Sequence, residues 1–162
     1  MSYKIKEYDS LIQESSNWDF NSDGDPSEFV SEMISVMQLG KGIGLAANQI
    51  GITKRIFVMG AENLEGFPTP FAVVNPEIIG VSEETSLYKE GCLSFPGLFL
   101  SVNRPKEILV KYQNEKGEWF QSTMNGLIAR CFQHELDHLN GICFVEKVSK
   151  LKLKLAMGKL KK

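Results

Sequence analysis

Hydrophobic and polar positions along the 162-residue chain change period several times, and each change predicts an element. Asp25, Pro26 and Glu28 read as a helix start, with Asp at the N-cap, Pro at the first helical position and Glu three residues after the cap. Phe29, Val30, Met33, Ile34 and Met37 follow on one apolar face, and Gly40 is expected to close the helix in a left-handed conformation. In Gly42-Ile-Gly-Leu-Ala-Ala-Asn-Gln49, small residues alternate with apolar ones and a single amide follows. That composition permits close backbone approach to a ligand, with Gln49 able to donate hydrogen bonds. It is no dinucleotide fingerprint, because the third glycine is missing and a helix precedes it. Apolar runs at 56–59 and 71–74 predict short buried strands around a Gly/Pro-rich loop at 60–70. Asn75-Pro76 is expected to turn the chain, residues 78–82 to form a strand, and residues 85–89 to lead into the segment containing Cys92. Pro96-Gly97 marks a turn after that segment. Residues 107–112 and 119–124 flank Asn114-Glu-Lys-Gly117 as a hairpin. Helical spacing returns over 125–140, with Gly141 as the stop. These elements predict an α+β fold, with mainly antiparallel sheets packed around a central helix in one domain over 1–162. Residues 1–24 are polar and weakly patterned, and 146–162 form a separate tail.

Composition narrows the class. Hydrophobic residues at 43% and charged residues at 23% suit a globular domain with a real core. The first residues carry no signal-type apolar run and no segment reaches the length of a membrane span, so a cytoplasmic location is expected, with no membrane partner. Three cysteines in a reducing compartment point away from disulfides and leave room for a metal or catalytic thiolate. Residues 146–162 hold seven Lys against one Glu, which leaves the preceding residues at −8 within a net charge of −2.

The only two histidines stand four positions apart in His134-Glu-Leu-Asp-His138. On the predicted helix both rings leave one face, where neutral imidazoles can share one divalent ion. Glu135 beside them can act as general base on a water activated by that ion, the chemistry of metal-assisted hydrolysis. Two histidines need a third protein ligand. Cys92 is the candidate, beside Gly91 and near a strand end, whereas Cys131 and Cys143 read as small buried hydrophobes.

Gly42-Ile-Gly-Leu-Ala-Ala-Asn-Gln49, Glu90-Gly-Cys-Leu-Ser94 and Gln133-His-Glu-Leu-Asp-His-Leu-Asn-Gly141 are similar, in this order, to the three motifs of peptide deformylases. With the Asn75-Pro76 turn and the hairpin, the resemblance covers roughly residues 26–145. It implies hydrolysis of the formyl group from the N-terminal formylmethionine of new polypeptides. It further implies one metal ion held by Cys92, His134 and His138, ferrous iron in cells, although such ligands also accept zinc, nickel or cobalt. Glu135 would move the proton, and the Leu93 N–H and Gln49 amide would stabilise the oxyanion. An extended peptide would run along Ile43, Gly44 and Gly91. Its methionine side chain would enter a pocket of Ile43, Leu127 and Cys131. Two departures stand out. Tyr8-Asp9-Ser10-Leu11 only faintly echoes the Pro-Asp segment and leucine-arginine pair of many members. Phe99 stands where many have a basic residue, which bears on contacts to later substrate residues.

Two rival readings are weaker. Zinc peptidases with His-Glu-x-x-His usually take a third ligand downstream, where this chain has no His and only Glu146. A binding module with a structural metal or none has no need of a general base. The tail leaves strand and helix open by period, since Lys-Leu alternates while Leu151/Leu155 and Leu153/Met157 suit i, i+4 spacing. The resemblance implies a C-terminal helix there. Its lysines suggest a ribosome contact through RNA phosphates, and no DNA partner is expected.

Overall fold

The computed structural model describes residues 11 and 13–160. Its order is helix α1 (Ser27–Leu39), strand β1 (Gly44–Ala46), a 3-10 turn (Ala47–Ile50), β2 (Ile56–Met59), β3 (Phe71–Val81), β4 (Thr85–Cys92) and β5 (Phe95–Pro105). There follow β6 (Glu107–Gln113), β7 (Trp119–Asn125), α2 (Gly126–Leu139), a second 3-10 turn (Phe144–Lys147) and α3 (Lys150–Leu160). Five strands form one antiparallel sheet in the order β1-β2-β3-β6-β7, while β4 and β5 pair separately as a two-stranded ribbon. Among the described residues no helix is long and apolar enough to cross a membrane.

All four residues of β2 are buried because both faces of the sheet are covered. Ile56 and Val58 point to α1 and meet Met33 and Met37, with Ala72 and Val74 of β3 beside them. Phe57 and Met59 point the other way, with Val73, Ile108 and Val110, onto Ala129, Phe132 and Leu136 of α2. Phe132 meets Phe57 edge-on at 5.1 Å. The ribbon has its own cluster, in which Leu98, Leu100 and Val102 pack against Phe144, with Leu153 and Ala156 of α3 laid over them. The expected antiparallel sheets, central helix and C-terminal helix are therefore all present.

Several local expectations are corrected. Pro26 occupies the N-cap position of α1, one residue later than read, and the Asp25 carboxylate accepts from the Ser27 N–H at 2.9 Å. Gly40 is right-handed at the other end, and Lys41 takes the positive φ of 57°. Two bonds close the turn, from the Gly42 N–H to Met37 O and from the Lys41 N–H to Gln38 O. Asn75-Pro76 does not turn the chain. β3 runs through it, with Asn75 at φ 51° and a register shift between Val74 and Glu77. The Asn75 side chain accepts from the Trp18 N–H and donates to Trp18 O and Gln113 Oε1, tying the N-terminal segment to two strands. Pro96-Gly97 is likewise no turn. Residues 93–94 make the reversal and β5 begins at Phe95, with Gly97 at φ 79° inside the strand, a conformation open to glycine. The segment 1–24, expected to be weakly patterned, buries Leu11 completely and sends the Ser15 N–H to Leu139 O. Tyr8, Asp9 and Ser10 lie outside the described residues.

Candidate metal centre

α2 lies with one face on the five-stranded sheet, so polar side chains on its other face are enclosed only where the ribbon covers them. His134 and His138, one turn apart, are there, with ring centroids 5.0 Å from each other. Cys92 ends β4 at a register shift, where Gly91 pairs with Phe99 but Cys92 pairs with Phe95. That irregularity re-aims the sulfur, which lies 3.4 Å from His138 Nε2. Ligand atoms of Cys92, His134 and His138 all fall within 4.8 Å of one another. The His134 Nδ1–H donates to Glu90 Oε1 at 2.9 Å, which leaves Nε2 for the site. His138 Nδ1 faces Cys143 Sγ at 4.0 Å, and the Asn48 amide donates to the backbone carbonyl of His138.

Electrostatics favour a cation here. Burial alone would raise Glu90, but hydrogen bonds from His134 and Arg104 lower it to about 2, so it stays ionised. Burial opposes charge on His134 too, yet its contacts with the Cys92 sulfur and Glu90, and the field of Glu135, lift it to about 10. A place that holds a proton against burial is a place of negative potential. Burial, with the nearby His134 charge, pushes His138 well down and keeps it neutral, the form that donates a lone pair. One thiol sulfur and two imidazole nitrogens at this separation match a catalytic divalent site that leaves one position for water.

Glu135 is 4% exposed, and its Oε2 has no hydrogen-bond partner among the described residues. Burial pushes its carboxyl up to about 7. Gly44 makes that position possible, because a Cβ there would meet Glu135 Oε1 at 2.6 Å and Cys131 Sγ at 2.9 Å. Gln49 is 1% exposed and sits behind Cys92 rather than on the cleft wall. Its Oε1 accepts from the Ala46 N–H at 2.9 Å, which turns Nε2 towards Ser94 Oγ at 3.0 Å and Cys92 Sγ at 3.5 Å.

A cleft of about 630 Å³ opens over these groups. Ile43, Gly44, Gly91, Leu93, Leu127 and Cys131 all line it, together with Cys92, His134 and Glu135. Cys131 Sγ lies 3.4 Å from Ile43 O, which joins α2 to the segment before β1. β1 is an edge of the large sheet and β4 has only one neighbour in the ribbon, so two strand edges face this cleft. Phe99, 57% exposed, shields Gly91, where a Cβ would strike its ring at 2.8 Å.

Sequence reading missed the charged groups behind the histidines. From sequence, Glu90 has no role beyond its place in the cysteine segment, and Arg104, Arg130 and Asp137 do not stand out. Arg104 forks onto Glu90 at 2.6 and 3.0 Å and reaches Asp137 at 2.8 Å. Arg130 reaches Glu90 at 2.5 Å. The available signal was spacing, since Arg130 precedes His134 by one turn on the face that carries the histidines.

The comparisons agree with this geometry. The polypeptide deformylase family profile matches residues 3–154. A peptide deformylase of Thermotoga petrophila is 46% identical over 131 residues, 81% of this chain and 77% of the relative. That of Bartonella henselae is 41% identical over 135 residues, 83% of this chain and 77% of the relative. The crystal structure of a peptide deformylase from Legionella pneumophila superposes with a TM-score of 0.88 at 33% identity, covering 99% of this chain and 94% of that one. The Thermotoga maritima enzyme gives 0.81 at 40% identity, covering 92% and 99%. Profile and superpositions span nearly the whole chain and the relatives about four fifths of it, and the chain belongs to the polypeptide deformylases, metal-dependent hydrolases that remove the formyl group from the N-terminal methionine of nascent polypeptides.

Proposed function

We propose that Cys92, His134 and His138 hold the divalent ion, and that Glu135, Gln49 and the Leu93 N–H carry the hydrolysis. The observation that carries this reading is the convergence of three ligand atoms within 4.8 Å beside a buried carboxylate oxygen without a partner. When bound, the ion supplies a Lewis acid that lowers the pKa of water and polarises the formyl oxygen. Glu135 takes the proton of the attacking water. A carboxyl lifted to about 7 accepts that proton near neutral pH and releases it again, to the amine nitrogen as the C–N bond breaks. Formate and a free N-terminus result. Gln49 Nε2 rests on Ser94 Oγ at 3.0 Å and Cys92 Sγ at 3.5 Å, and it serves the developing oxygen charge by turning one N–H from these partners towards the cleft. The Leu93 N–H serves as the second donor.

The peptide binds as an added strand between the edges of β1 and β4, along Ile43, Gly44 and Gly91. Its methionine side chain enters the apolar part of the cleft at Ile43, Leu127 and Cys131. Ferrous iron is the ion in cells, and zinc, nickel or cobalt also suit the ligands. The enzyme works in the cytoplasm on chains at the ribosome, which α3 contacts through its lysines. Formate release from formyl-Met-Ala-Ser, with acetylated and unblocked peptides as controls, tests the activity. Release from the formyl peptide alone supports the reading, and cleavage of an internal peptide bond instead would reject it.

A further inference from the structure

We propose that Arg130 is a positioning residue of the metal centre, clamping the ribbon that carries Cys92 to the helix that carries both histidines. The inference rests on the ligand assignment above. The two sets of ligands come from different bodies, since Cys92 ends β4 in the ribbon while the sheet-facing side of α2 packs on the large sheet. The apolar cluster of the ribbon is shared with Phe144 and α3, and it meets the histidines through Phe144, whose ring lies 5.6 Å from that of His134, and through Cys92 itself. Polar cross-links between α2 and both strands of the ribbon add to this apolar contact in holding Cys92 at its distance from α2.

Arg130 supplies four of them. Its Nη1 donates to Glu90 Oε2 at 2.5 Å and to Val102 O at 2.9 Å, and its Nη2 donates to Ser86 O at 2.8 Å and Ser86 Oγ at 3.2 Å. These partners lie on both strands of the ribbon. The guanidinium also fixes a carboxylate. Glu90 Oε2 is held by Arg104 Nε at 2.6 Å and by Arg130, while Oε1 takes Arg104 Nη2 at 3.0 Å and the Nδ1–H of His134 at 2.9 Å. Without Arg130 the carboxylate keeps the Arg104 fork, which Asp137 shares, and the His134 Nδ1–H, but Oε2 loses one of its two guanidinium donors and the Ser86 and Val102 carbonyls lose the Arg130 bonds. A lysine keeps the charge but not the planar fork that spans Glu90, Val102 and Ser86 together.

The test is cobalt(II) titration of chelator-treated full-length protein, held well below its unfolding temperature, reading the dissociation constant and the thiolate-to-cobalt absorption band. Arg130→Met and Arg130→Lys should each bind cobalt about 10- to 100-fold more weakly, with a displaced band. Arg130→Met should weaken binding less in a Glu90→Gln background than alone, because part of its effect passes through that carboxylate. A residue that only stabilises the fold would lower the unfolding temperature and leave affinity and band unchanged, and that result overturns the proposal. If Arg130→Met does not fold, Arg130→Lys decides by the same criterion. Cys92→Ser is run in parallel, since a wild-type band there would overturn the ligand assignment rather than the clamp.

Discussion

Glu135 and Gly44 show how one side chain depends on the absence of another. The Glu135 carboxylate sits in the space that a Cβ at position 44 would claim at 2.6 Å. Gly44→Ala should therefore push the base off its place, cutting turnover while the three ligands keep their ion, with a stability cost of about 1–3 kcal/mol. Kinetics alongside metal analysis would check this, and wild-type turnover would clear Gly44 of any such role. Glu135→Gln should keep the ion and lose at least about 10²-fold in turnover, whereas Cys92→Ala should lose ion and turnover together. Retained ion in Cys92→Ala would strike it from the ligands. The histidines and Cys92 were readable because a helical period and a glycine beside a strand end are local facts. Arg104 and Arg130 were not, since a charge in a sequence window looks solvated. Only the ribbon, folding over α2, encloses both, at 4% and 6% exposure, around Glu90.

At the scale of elements, α1, α2 and the 107–125 hairpin were legible because apolar period and turn or start signals marked each stretch, whereas the period of the tail left α3 open between strand and helix. β3 and β5 were hidden by residues that usually end strands. Asn75-Pro76 and Pro96-Gly97 carry turn chemistry, yet pairing on β6 and β4 holds both segments extended. Asn75 separates two reasons for that tolerance, a left-handed φ of 51° and three hydrogen bonds from its side chain. Asn75→Gly keeps the conformation accessible and removes only the bonds, each with a net value of about 1 kcal/mol. Asn75→Ala should cost about 1 kcal/mol more, because a Cβ is disfavoured at that φ. Denaturant titration of the pair measures the difference, and equal losses would mean that the backbone there relaxes freely.

At the scale of the molecule, α3 separates two faces that the tail sequence left undivided. Its inner side chains Leu153 and Ala156 cover the ribbon cluster, and the Lys152 ammonium donates to Ser101 O at 2.5 Å. Leu151 and Leu155 remain exposed beside exposed lysines 150, 154 and 159. The inner face belongs to the fold and the outer face is available to a polyanion. Truncation after Val148 should uncover the ribbon and cost about 2 kcal/mol, from the partial burial of two apolar side chains and one lost hydrogen bond. It removes none of the proposed metal ligands, none of the residues that line the cleft and neither proposed oxyanion donor. Hydrolysis of a short formyl peptide, assayed below the lowered unfolding temperature, should thus stay within about two- to threefold of the full-length enzyme, since the barrier is set by groups the cut leaves in place. Ribosome binding should respond in the opposite sense. Full-length protein should pellet with ribosomes at low salt and release steeply as salt rises, as phosphate contacts require, while the truncated protein should stay in the supernatant. Equal pelleting of the two proteins would confine α3 to its inner face. A collapse of short-peptide turnover in folded, truncated protein would instead show that the ribbon cannot hold Cys92 without α3.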